Sequence, residues 1–218
     1  MNAYAAGLTA RQCEPVSRTL SFIAASRFDR PTLVVDAEAV AAKYQALARG
    51  LGRARIHYAV KANPAPGILK RLVQEGANFD AASRAEIEMC LAAGAAAGRI
   101  TFGNTIKRPA DIAFAHSIGI TRFAADAREE LDKLAENAPG AKVCLRLIVE
   151  TSEADWPLSR KFGCTSEMAL KLMDYAAARG LQLDGLSFHV GSQTREPRMW
   201  AGTLDQVAGV WRQAEKAG

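Results

Sequence analysis

From residue 30 onward the sequence alternates short apolar runs with helix-length amphipathic stretches, joined by connections of a few residues. That rhythm leaves few folds open. Strands running the same way must be joined by crossovers, so the pattern demands a parallel sheet covered by helices, an α/β fold. Strands are expected at Thr32–Asp36, Ile56–Val60, Asn78–Ala81, Ile100–Gly103, Arg122–Ala125, Lys142–Val149 and Gly185–Val190. Helices are expected at Ala37–Arg49, Pro64–Glu75, from Ser83 onward, Ala110–His116, Arg128–Asn137 and Met168–Arg179. A last helix carries Trp200, Leu204, Val207 and Trp211 as an apolar stripe. Gly50, Gly76 and Gly180 read as helix stops and Pro64 as a helix start. Ser83 with Glu86 three residues on forms the capping-box pattern.

Two architectures share such a rhythm, a doubly wound sheet and a (β/α)8 barrel. A dinucleotide-binding sheet wants GxGxxG after its first strand, and that motif is absent. The polar residues lie instead at the ends of many different strands: Lys61, Asp80, Asn104, Arg146 and His189. A barrel collects its strand ends on one face, where such residues become neighbours. The barrel is therefore expected, with residues 30–218 as a partial barrel and residues 1–29 as an N-terminal arm. Six strands from Ile56 plus the one at Thr32 leave it unfinished.

The stretch Ile56-His57-Tyr58-Ala59-Val60-Lys61-Ala62-Asn63-Pro64 runs from a buried strand into a turn, with a lysine at the junction. A lysine fixed there reaches a ligand, and partial burial would lower its pKa for capture of a carbonyl. Taken alone, the reading to favour is a strand cap whose stem snorkels to water.

Composition closes off other classes. The 218 residues are 49% hydrophobic and 23% charged, which suits a globular chain with a substantial core. The net charge of +5 is spread thinly and no basic run is interleaved with aromatics, so nucleic acid is not expected as a partner. Cys13, Cys90, Cys144 and Cys164 show neither CxxC pairing nor histidine at ligand spacing, so no metal site or disulfide framework is expected, and a reducing cytoplasm is the simplest setting. The Ala-rich arm lacks the apolar core of a signal peptide, and no stretch is apolar for long enough to span a membrane.

Four blocks in order then carry a resemblance: Tyr58-Ala59-Val60-Lys61-Ala62-Asn63, Phe79-Asp80-Ala81-Ala82-Ser83 with Glu86, Cys144-Leu145-Arg146, and Ser187-Phe188-His189-Val190-Gly191-Ser192. Together they resemble the fold-type III pyridoxal-phosphate decarboxylases, which have an alanine-racemase-type barrel. The form of the second and fourth blocks, with Trp156-Pro157-Leu158-Ser159-Arg160-Lys161-Phe162-Gly163, resembles the ornithine decarboxylase group most.

The resemblance implies pyridoxal 5'-phosphate as cofactor, held by Lys61 as a Schiff base that passes to the substrate amine. His189 would stack on the cofactor ring, and Ser192 would donate to its phosphate. Asp80 would lie in the pocket near Lys61, and Arg146 beneath the ring in a charge network. Glu86 would support the pocket from behind, Asn104 would lie at its edge, and Lys161 would belong to a loop over it. The implied reaction is decarboxylation of ornithine to putrescine, in polyamine biosynthesis, by a cytoplasmic homodimer. Lysine, arginine or diaminopimelate decarboxylases, amino-acid racemases and catalytically silent regulatory homologues share the scaffold. In the family a glycine-rich phosphate loop, an acidic partner for the pyridine nitrogen and a C-terminal β domain follow the part seen here. The sequence is therefore expected to be a piece of a longer enzyme.

Overall fold

The structure is a computed structural model that describes residues 17–149, 161–191 and 198–217. Alternation along the strands sets its layering. In β2 (Asn78–Ala81) Phe79 and Ala81 are buried while Asn78 and Asp80 are half-buried. In β5 (Lys142–Arg146) Val143 and Leu145 are buried while Cys144 and Arg146 are half-buried. Because side chains alternate faces, one face of the sheet is apolar and the other polar. The apolar face, with Phe79, Phe102, Phe123 and Leu145, packs into a core with helix residues such as Leu69, Leu72, Ile87, Ile112, Leu131 and Leu172.

The other strands are β1 (His57–Ala59), β3 (Ile100–Phe102), β4 (Arg122–Ala125) and β6 (Gln182–Ser187). The sheet is wholly parallel and its spatial order is the chain order, β1-β2-β3-β4-β5-β6. A doubly wound sheet reverses its order at a switch point. Here every crossover steps the same way, which is how a (β/α)8 barrel is laid down. The connecting helices are α3 (Pro66–Gln74), α4 (Arg84–Ala92), α5 (Pro109–Ser117), α6 (Arg128–Asn137) and α7 (Ser166–Ala178), flanked by α1 (Ser17–Ala25), α2 (Ala37–Leu51) and α8 (Arg198–Ala217).

Expected and observed limits coincide for β2, β4 and α6. Several local expectations need correction: α3 begins at Pro66 rather than at Pro64, and β6 runs Gln182–Ser187 rather than Gly185–Val190. Thr32–Asp36 forms no strand: Leu33 is 83% exposed, and β1 pairs with β2 rather than with this run. An apolar run becomes a strand only if a neighbour takes its hydrogen bonds. Asp36 instead caps α2, accepting from the Glu38 and Ala39 backbone N–H groups and pairing with Arg18 of α1. Helix α2 runs through Gly50 and ends at Gly52, whose φ of 58° suits glycine. In α8 the expected stripe is not the buried face, since Trp200, Leu204 and Trp211 are each about half exposed while Thr203 and Val210 are buried.

The cap at α4 is a modified capping box. Ser83 Oγ accepts from Glu86 N at 3.3 Å, but Glu86 Oε2 accepts from Ala82 N at 2.7 Å rather than from Ser83 N. No helix among the described residues is long and apolar enough to cross a membrane.

Candidate active site

The polar sheet face and the strand exits enclose a cavity of about 890 Å³. Lys61, Asp80, Asn104, Arg146, Lys161 and His189 all line it. These six side chains are separated by up to 128 residues in sequence, and the barrel register brings them to one chamber.

Lys61 stands in a short 3-10 turn, Val60–Ala62, directly after β1. Tyr58 Oη donates to Asn63 O at 3.1 Å and Asn63 Oδ1 accepts from Ala65 N at 3.1 Å, so the turn that presents Lys61 is tied at both ends. The side chain is exposed rather than partly buried, which corrects the expectation of burial. Asp80 sits on the inner face of β2 and accepts from Thr101 Oγ1 at 3.2 Å. Burial pushes its carboxyl pKa up, while the Thr101 hydroxyl and the Lys61 and His57 charges oppose the rise. Gly103 leaves room for this carboxylate, since a Cβ there would lie 1.9 Å from Asp80 Oδ1.

His189 follows β6, and its Nδ1 accepts from Gly191 N at 2.8 Å. Burial first, then the charges of Arg146 and Lys61, hold the imidazole pKa below the ordinary 6.5. A neutral ring whose Nδ1 accepts carries its proton on Nε2. Arg146 ends β5, with its guanidinium 5.5 Å from the centroid of Phe162. Lys161 Nζ lies 5.2 Å from that same ring, so Phe162 is a lining residue in reach of two cations. Glu86 is not in the lining; it holds the backbone of Ala82, which is. Ser192 and Trp156 to Arg160 fall outside the described residues.

Other residues of the site carry no sequence signal or only a faint one. His57 and Thr101 line the cavity on strands adjacent to β2, and Thr101 Oγ1 stands 3.5 Å from His57 Nδ1. Thr101 is the registered partner of Asp80 across the β2–β3 ladder, a pairing that no local sequence pattern marks. Asp126, just beyond β4, accepts from Gly163 N at 2.7 Å. Cys164 N donates to Arg146 O and Ile148 N to Cys164 O, so residues 163–164 are laced onto the end of β5. Nothing local in the sequence marks that lacing.

The chamber fits pyridoxal phosphate chemically. It offers a primary amine for an aldehyde, a flat neutral imidazole for an aromatic ring, and a carboxyl and a guanidinium for the ring's polar edge. The glycine at 103 keeps space beside the carboxyl. Among the described residues no group of acidic, histidine and cysteine side chains is arranged to hold a metal ion.

Comparison with known proteins agrees with this geometry. The family model described as the pyridoxal binding domain of the pyridoxal-dependent decarboxylases matches residues 37–218. A lysine/ornithine decarboxylase of Selenomonas ruminantium is 36% identical over 194 residues, covering 89% of this chain and 49% of that protein. Antizyme inhibitor 2 of Xenopus laevis is 31% identical over 185 residues, covering 85% of this chain and 41% of that protein. A crystal structure of SrLDC in complex with PLP and cadaverine superposes with a TM-score of 0.83 at 32% identity, covering 94% of this chain and 51% of that one. The chain thus spans about half the length of the relatives it matches.

Proposed function

The chain belongs to the pyridoxal-dependent decarboxylases, and from that premise we propose that its full protein releases carbon dioxide from a basic amino acid, L-ornithine foremost. The product is then putrescine, and the role polyamine synthesis. What supports the reading most is the convergence of Lys61, Asp80, Arg146 and His189, from four different strand exits, on one cavity. Ornithine is put first because of the form of the Phe188-His189-Val190-Gly191-Ser192 and Trp156 to Gly163 blocks.

Pyridoxal phosphate, when bound, supplies the electron sink for the pair left behind as carbon dioxide departs. The residues of this chain supply the rest. Lys61 would hold the cofactor through Nζ and would yield it to the substrate amine. Its ammonium must first lose a proton, and the Asp80 carboxylate, within its electrostatic reach, is the group beside it that can hold one. His189 keeps its proton on Nε2 and presents a flat neutral face, so it fixes a ring plane without adding charge. Arg146 and the Phe162 ring it faces form another part of the lining. Phe162 and Phe188 add apolar surface to the lining, which helps exclude water at the carbon that loses its carboxylate. Ser192 is proposed to donate to the cofactor phosphate. The complete protein is proposed to work as a cytoplasmic homodimer, in keeping with the family resemblance.

A second reading is favoured by the likeness to an antizyme inhibitor: a relative that binds a regulatory protein without decarboxylating. One experiment separates the two. The full-length protein, purified with pyridoxal phosphate, should show the visible absorbance of a lysine-linked cofactor, and Lys61→Ala should lose it. Carboxyl-labelled ornithine should release labelled carbon dioxide, with lysine, arginine and diaminopimelate as competitors. A silent protein, neither coloured nor releasing carbon dioxide from any of the four, would overturn the decarboxylase reading in favour of the second.

A further inference from the structure

Lys107 is the one buried lysine among the described residues, 3% exposed, in the loop between β3 and α5. Its ammonium donates to Asn104 O at 2.9 Å and to Ala124 O at 2.6 Å. Glu130 of α6, also buried, stands 2.8 Å away through Oε1. Two of the three ammonium protons go to the carbonyls, which leaves the third for this carboxylate. Glu130 Oε2 also accepts from Lys107 N at 3.4 Å, and Lys133 Nζ donates to Lys107 O at 2.6 Å.

A buried ion pair is a poor device for stability alone. Its desolvation cost roughly cancels its attraction, and apolar residues of similar size often do as well or better. The two carbonyls suggest what the pair does instead. The ladder between β3 and β4 has a single registered pair, Phe102 with Phe123. The other ladders have three to five. Asn104 lies two residues beyond that pair on one strand and Ala124 one residue beyond it on the other. Both line the cavity.

We propose that Lys107 is a positioning residue of the cofactor pocket: its buried ammonium replaces the missing rungs between β3 and β4, and so fixes the Asn104 and Ala124 wall. Glu130 neutralises the ammonium and Lys133 steadies the loop, but the wall itself hangs on the two carbonyl contacts. The inference rests on the reading of this cavity as the pyridoxal-phosphate site.

The test uses the full-length protein and two readouts, thermal midpoint and pyridoxal-phosphate affinity by absorbance titration. Lys107→Met should lower both, because it leaves the buried Glu130 carboxylate with Lys133 as its remaining cation and removes the two carbonyl contacts. Lys107→Met with Glu130→Met removes both charges and should recover most of the midpoint. Its affinity should stay at least about tenfold below the unaltered protein, the scale of losing hydrogen bonds from a charged donor. Glu130→Gln keeps the ammonium on its two carbonyls, so its affinity should stay within about threefold whatever its midpoint. Recovery of affinity together with the midpoint in the double variant would overturn the proposal. Should the double variant not fold, a loss of affinity in Glu130→Gln as large as in Lys107→Met would do so. Absence of cofactor binding by the unaltered protein would overturn the reading of the cavity, and this inference with it.

Discussion

Asp80 and its neighbours show how single side chains acquire their chemistry from place. Aspartate on a strand is unremarkable in a sequence, yet on the inner face of β2 its carboxyl is desolvated, held by Thr101 and within reach of the Lys61 charge. The two described pocket histidines respond to burial in the opposite sense, because protonation is what charges them. His57 and His189 are both held below the ordinary 6.5, in each case by burial first. With a depressed folded pKa the unfolded chain takes up its proton first as pH falls. The stability these residues leave intact at neutral pH is therefore lost progressively below about 6.5. Urea unfolding of the cofactor-free protein should show a lower midpoint near pH 5 than near pH 7.5, and His57→Gln should narrow that gap. An unchanged gap would mean that His57 is not buried in this way. Lys61, Asp80, Arg146 and His189 were legible as a set through their common position at strand ends and the motif blocks that contain them. Lys107 was not legible at all, because it reads as a loop lysine until the fold brings Glu130, 23 residues on, against it.

At the scale of elements, what holds the pocket's rim is a short seam after β5. Gly163 has φ of 105°, and a Cβ there would lie 2.8 Å from Ile148 N and from the Leu147 carbonyl carbon. Any other residue faces both a disfavoured backbone conformation and a clash with backbone that cannot swing aside. Gly163→Ala should therefore cost on the order of 1–3 kcal/mol in thermal or urea unfolding. It should also weaken pyridoxal-phosphate binding, because Phe162, next in sequence, loses its seat against Arg146. A variant with unaltered stability and affinity would show that the seam is not under this constraint. Three elements were readable to the residue: β2 by its alternation, β4 as a short apolar run, and α6 by the apolar face of Leu131 and Leu134. Thr32–Asp36 carries an equally strand-like pattern and fails, because pairing depends on a neighbour that no local pattern supplies. The same holds for α8, where helical spacing was correct but the neighbour decided which face is buried.

For the whole molecule, strand order decides between architectures that the sequence rhythm leaves open. A parallel sheet built strictly in chain order gathers its strand exits on one rim, and the six lining residues named from sequence meet there. Charge and cysteine usage argue against nucleic acid and a metal site but do not choose a substrate, since the relatives include a lysine/ornithine decarboxylase and an antizyme inhibitor. The chain also spans about half the length of those relatives. The claim on which all else depends is that Lys61, rather than any other lysine, bonds the cofactor. Borohydride reduction of the full-length protein loaded with pyridoxal phosphate, followed by peptide mass spectrometry, tests it directly. The account predicts a pyridoxyl adduct on the peptide containing Lys61 and none on Lys107; an adduct on another lysine with Lys61 unmodified would contradict it.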